Sequence, residues 1–173
     1  MKMPIVTTKQ LTVIAMIAAI YTVLVVGTVW WSFGPVQIRI AEALTILAVL
    51  TPWAIWGIGL GCFVANFVGW VTGTNPLGWV DTIVGTTASV LAGIVSWKLR
   101  DIRTANLPLL SAFSPVIFNA VFIGGQLSIV LTGSLAAFPI FAAQVGAGQV
   151  VACMVLGLPL MKAVERTGLL YTV

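Results

Sequence analysis

Of the 173 residues in this chain, 60% are hydrophobic and only 7% are charged, eight Lys and Arg against four Asp and Glu. A water-soluble domain of this length needs about a quarter of its residues charged, so a soluble fold is excluded and the surrounding solvent is lipid. The net charge of +4 does not point to nucleic acid, because the basic residues fall at the ends of apolar runs and not on an aromatic-interleaved surface.

Apolar spans of about 20 residues use up this length in five to seven passes, which leaves a single transmembrane domain over residues 1–173. The first run covers residues 11–31 behind Lys2 and Lys9. It is long enough to span and lacks a small-residue cleavage site, so it reads as helix one and not as a signal peptide. A second, shorter run covers 38–52, begins with charge, and is broken by Thr51 and Pro52. The third run, 53–71, leads into the polar loop Gly73, Thr74, Asn75, Pro76. The fourth, 81–97, stops at the charge cluster Lys98, Arg100, Asp101 and Arg103. The fifth covers 107–131, Gly133 and Ser134 turn the chain, and the sixth covers 139–161 before Lys162, Glu165 and Arg166.

This pattern predicts an all-α, six-transmembrane-helix protein. Lys2, Lys9, Lys98, Arg100, Arg103, Lys162 and Arg166 fall on one side and Arg39 alone on the other, so the positive-inside rule puts both termini in the cytoplasm and requires an even number of passes. Trp30, Trp31, Trp70 and Trp79 then form an outer aromatic belt, and Trp53, Trp56 and Trp97 an inner one.

Charge inside a bilayer costs from about 2.5 kcal/mol upward, so the groups not explained by cytoplasmic ends carry the functional information. They are Arg39, Glu42 and Asp81. Arg39 and Glu42 are three apart at the start of helix two, share a face if helical, and are expected to pair. The residues alone leave open whether such a pair is structural or holds a ligand, and whether Asp81 caps helix four or contacts the ligand. Gln37, Asn66, Asn119, Gln126, Gln144 and Gln149 form the next tier. Asn119 and Gln126 are seven apart, on one stripe of helix five. Interhelical glue is the plain reading of such amides. Depth favours a second one, because Gln37, Arg39, Glu42, Asn66, Asp81, Gln126 and Gln144 all fall in the outer half, where carboxylates, amides and Trp rings suit a planar hydrogen-bonding solute.

Ala15 and Ala19, Gly57 and Gly61, and the series Gly85, Ser89, Gly93 follow the spacing that lets membrane helices approach closely. Ala15 and Ala19 also suit a partner-facing surface. Cys62 and Cys153 sit in apolar runs without metal-site spacing and read as buried spectators. There is no histidine, no phosphate-binding GxxxxGK[ST] loop, no flanked nucleophilic serine and no obvious inverted repeat of broken helices. The expectation is solute recognition with no catalytic residue, metal or cofactor, and any ATP-driven step must come from other subunits.

Residues 33–47 (FGPVQIRIAEALTIL) resemble the QueT family, the queuosine-precursor substrate-binding subunits of energy-coupling factor transporters. Residues 61–66 (GCFVAN), 81–85 (DTIVG), 115–119 (PVIFN) and 155–160 (VLGLPL), with Lys162 and Glu165, extend the likeness over essentially the whole chain. The resemblance implies a multi-pass protein of the bacterial cell membrane. It would capture a 7-deazaguanine such as preQ1 or preQ0 outside, topple to release it inside, and work with a transmembrane coupling protein and two ATPase subunits. It also implies docking through Ala15 and Ala19. Glu42 or Asp81 would accept paired N–H groups of the guanine-like edge, amides would serve its other polar atoms, and aromatic rings would stack on its face. The family carries acids near the positions of Gln126 and Gln149, amides here. The alternatives are the same architecture serving another vitamin-like or aromatic solute, a membrane-embedded enzyme, and an assembly subunit without a solute.

Overall fold

The computed structural model describes residues 6–34, 37–168 and 170. Lys2, Pro35 and Val36 lie outside these. The described residues are all-helical. Six helices follow one another: α1 (Thr8–Gly27), α2 (Ile40–Val49), α3 (Trp53–Val71), α4 (Gly78–Lys98), α5 (Leu109–Thr132) and α6 (Phe138–Thr167), with a single turn at Val29–Ser32 between α1 and α2. All except α2 are long and apolar enough to cross a membrane. The sequence boundaries hold for α3. The first run is split instead by the break at Thr28, and α6 continues past residue 161 to Thr167.

Each long helix turns one stripe inward and leaves the rest mostly apolar and half-buried or exposed, as lipid contact demands. On α4 the inward stripe is Asp81, Thr82, Gly85, Ala88, Ser89, Ala92, Gly93 and Ser96, spaced three and four apart and small or polar throughout. Close approach is purchased with glycine where α1 meets α3. A Cβ on Gly57 would lie 2.8 Å from Ile17 Cβ, and one on Gly61 would lie 2.9 Å from the Ala18 carbonyl oxygen. These contacts advance together, Gly57 with Ile17 and Gly61 with Ala18 and Tyr21, so α1 and α3 run parallel. In the same way Gly93 on Ile55 and Gly59 on Val90 make α3 and α4 antiparallel, and Gly124 on Ala142 with Gly146 on Ala120 does so for α5 and α6. Ser96 against Ser111 and Ser114 against Ala92 set α4 and α5 antiparallel. One end of the bundle therefore gathers Lys9, Lys98, Arg100, Arg103, Lys162 and Arg166, and the opposite end gathers Trp30, Trp31, Trp70 and Trp79. We call these the basic end and the aromatic end.

Helix α2 is the axis of the bundle. It is wound as a 3-10 helix, and every residue from Ala41 to Val49 is buried, so it packs on all sides. It touches each of the five other helices. Its closest neighbour is the middle of α6, where Val151–Gly157 widens into π turns. There the main chains meet: a Cβ on Gly148 would collide with the Gln37 carbonyl oxygen, and one on Gly157 would fall 3.3 Å from that of Ala43.

Candidate functional site

A buried polar cluster fills the space between α2, α3 and α4 toward the aromatic end. Arg39 caps α2 in an extended conformation, φ −84° and ψ 94°. This turns it off the helical face of Glu42, and the expected Arg39–Glu42 pair is not formed. The partner of Arg39 is Asp81, Nη2 donating to Oδ2 at 2.8 Å, with both side chains almost completely buried. Asp81 is not an N-cap either. α4 begins at Gly78, which puts Asp81 inside its first turn without a capping bond, and its carboxylate is turned into the bundle. Asn75 Nδ2 donates to the same Oδ2 at 2.8 Å while its Oδ1 accepts from the Leu77 N–H at 3.0 Å. Asn66 donates through Nδ2 to the Asp81 carbonyl oxygen at 3.0 Å. Gly85 is what lets these groups converge: a Cβ there would lie 2.8 Å from Asn66 Nδ2 and 3.1 Å from Asp81 Oδ1.

Glu42, fully buried, is held by hydroxyls. Oε1 accepts from Tyr21 at 2.5 Å and from Ser89 at 3.2 Å, and Oε2 accepts from Thr45 at 3.0 Å. Helices α1 and α4 are thereby tied to the carboxylate of α2. Cys62 lies where the two halves of the cluster meet, its Sγ 3.5 Å from both Asn66 Nδ2 and Ser89 Oγ and 4.0 Å from Arg39 Nη1. Cys153 donates to the Glu42 carbonyl oxygen at 3.6 Å and to Gln149 Oε1 at 3.5 Å.

Tyr21 and Thr45 escape a reading of the sequence that ranks charges and amides first, and Ser89 and Asn75 stand in it only as a packing position and a loop residue. A signal exists for Tyr21, since a phenol placed mid-span needs a buried acceptor for its hydroxyl. Asn75 looks like an ordinary loop residue, and only its return toward α4 reveals the contact.

Eight buried polar atoms among the described residues lack a partner: Gln37 Nε2, Arg39 Nε, Asn66 Oδ1, Asp81 Oδ1, Thr82 Oγ1, Asn119 Nδ2 and both side-chain heteroatoms of Gln126. They come from the lead into α2 and from α3, α4 and α5, and none belongs to the basic end. Asn119 and Gln126 are both buried on the inward stripe of α5. Over this region, at the aromatic end, opens a cleft of about 310 Å³ walled by Phe33, Pro76, Leu127, Phe141 and Gln144. A neighbouring cleft of about 410 Å³ shares Phe33 and Pro76 with it. The Phe33 ring also lies over the Arg39 guanidinium, 5.3 Å from centroid to Cζ, so the cluster sits directly behind the cleft wall. Gln144 is the one residue of the expected set on the wall itself; the others are buried inside the bundle. Ala15 and Ala19 are remote from all of this, exposed on the outward face of α1.

A family model described as the QueT transporter matches residues 11–166. The chain belongs to the QueT transporter family. It is a multi-pass membrane protein of a family of transporters, not enzymes. Over 80 residues it is 34% identical to the queuosine precursor transporter QueT of Lactococcus lactis subsp. cremoris (strain MG1363), a stretch that covers 45% of this chain and 43% of that protein. The chain thus spans under half the length of the curated relative it matches. No solved structure matches it.

Proposed function

We propose that this QueT-family chain is the substrate-capture subunit of an energy-coupling factor importer, and that it binds a 7-deazaguanine queuosine precursor at the aromatic end. The observation that carries the reading is the set of eight unpartnered buried polar atoms, one of them on Arg39, whose guanidinium lies against Phe33 of the cleft wall. Leaving a buried donor or acceptor unmade costs about 1–3 kcal/mol each, so the protein holds hydrogen-bonding capacity that a planar, many-donor solute would satisfy. In this reading Gln37, Arg39, Asn66, Asp81, Asn119, Gln126 and Gln144 contact the solute, and Glu42 supports them through Tyr21 and Ser89. The aromatic end faces outward and both termini are cytoplasmic.

The same reading makes α2 a sixth crossing. Ten residues at about 2.0 Å each reach roughly 20 Å as a 3-10 helix, against about 15 Å as an α-helix. Extended Gln37, Ile38 and Arg39 add about 10 Å, which brings the total to the roughly 30 Å of the hydrocarbon core. Release would follow toppling driven by a coupling protein and two ATPases, docked on the face of Ala15 and Ala19. Titrating the purified protein with preQ0, preQ1, riboflavin, thiamine and biotin, followed by thermal shift and calorimetry, tests the proposal. Stabilisation by a deazaguanine alone is expected; no response to either deazaguanine rejects it.

A further inference from the structure

The ion pair between Arg39 and Asp81 is closed on one side only. Arg39 Nη2 and Asn75 Nδ2 both donate to Oδ2 of Asp81, and Arg39 Nη1 is turned toward Cys62. Nε of the guanidinium and Oδ1 of the carboxylate are left over, both buried and both without a partner. An Arg–carboxylate pair commonly closes with two parallel bonds. Here Asn75 takes up part of Oδ2 and the second bond is not made, so one pair of residues presents a free donor and a free acceptor.

We infer that these two atoms read a lactam edge, a ring carbonyl accepting from Arg39 Nε beside a ring N–H donating to Asp81 Oδ1. The inference rests on the capture reading and names the edge of the solute that this pair holds. A six-membered lactam carries its C=O and N–H on adjacent ring atoms, in one plane and on one side, and a 7-deazaguanine has such an edge at its carbonyl carbon and neighbouring ring nitrogen. Asn66 extends the match. Its Nδ2 is committed to the Asp81 main chain, while its Oδ1 is free to accept from an amino group next to the lactam. Phe33, over the guanidinium and on the walls of both clefts, is the ring past which the solute reaches the pair.

Calorimetric titration of the full chain in lipid nanodiscs with three probes tests this. 7-Deazaguanine has the lactam and the amino group, 7-deazahypoxanthine has the lactam alone, and the O6-methyl ether of 7-deazaguanine has the amino group but neither the carbonyl nor the ring N–H. The expected result is 7-deazahypoxanthine within about tenfold of 7-deazaguanine, and the ether at least about 100-fold weaker, because a site built to hydrogen-bond rejects a ligand that leaves its groups unpaired. If 7-deazaguanine binds and the ether binds as well, the lactam assignment is overturned while capture stands; a water permanently bridging Nε and Oδ1 would give that outcome. If no probe binds, the capture reading itself fails. Asp81→Asn should weaken 7-deazaguanine more than it weakens the ether, and the probes on the unaltered chain decide the matter even if that variant does not fold.

Discussion

Two polar regions line the same helix α4, and they are built in opposite ways. Toward the basic end, Ser96 donates to the Ser111 carbonyl oxygen at 2.8 Å, Ser111 returns a bond to Ser96 at 2.9 Å, and Ser114 donates to Ala92 at 2.9 Å. Each hydroxyl there meets a main-chain oxygen of the facing helix, and nothing is left over. Toward the aromatic end, Arg39, Asn66, Asp81 and Thr82 are as deeply buried, yet each keeps an atom without a partner. The first region is glue between α4 and α5; the second is held open in a hydrogen-bonding sense. Both consist of polar side chains on membrane helices, so polarity alone does not separate packing from recognition. Satisfaction does.

Substitutions sharpen or break that contrast. The largest effect is expected from Asp81→Ala, which leaves the Arg39 guanidinium buried without its counter-ion and should cost about 3–5 kcal/mol in unfolding from detergent or bicelles. Removing Arg39 as well should recover part of the loss, and a double variant less stable than either single one would show that the two residues act independently. Next comes Tyr21→Phe. It deletes the shortest bond to Glu42 and should cost about 1.5–3 kcal/mol, the range for hydrogen bonds to charged groups.

Gly85→Ala drives a methyl group to within 2.8 Å of Asn66 Nδ2 and should cost about 1–3 kcal/mol by overpacking. It should also lower deazaguanine affinity in calorimetry. Gly93→Ala, about two turns along the same face toward the basic end, meets only Ile55 at 3.3 Å or more and should leave affinity unchanged. The smallest effect is expected from Ser111→Ala, about 0.6 kcal/mol, the average for membrane hydrogen bonds in double-mutant measurements, again with no change in binding. If Ser111→Ala weakened ligand binding as much as Gly85→Ala, the division between the two ends would collapse.

Much of this was legible beforehand, residue by residue. Arg39, Glu42 and Asp81 stood out because uncompensated charge is scarce in apolar spans, and all three are buried at the polar cluster. Gly57 and Gly61 announced a close helix contact by their spacing alone, and α1 occupies it. Pairing was not legible. The interval from 39 to 42 promises a shared face only if both residues are helical, and the extended backbone at Arg39 removes that condition. Nor was the first-turn position of Asp81, which depends on where α4 starts within a Gly- and Pro-containing loop.

The sequence by itself determined that the chain lives in a membrane, where its long helices run, and which rare polar groups must be accounted for, because hydropathy and charge are additive along the chain and need no knowledge of neighbours. Only the tertiary structure decided that Arg39 meets Asp81 across 42 positions, that Tyr21 and Ser89 from two other helices enclose Glu42, and which atoms remain unmatched. Hydrogen bonds and ion pairs are short-ranged and directional, so a partner is fixed by how helices pack and by a glycine that admits it, neither of which a linear pattern records.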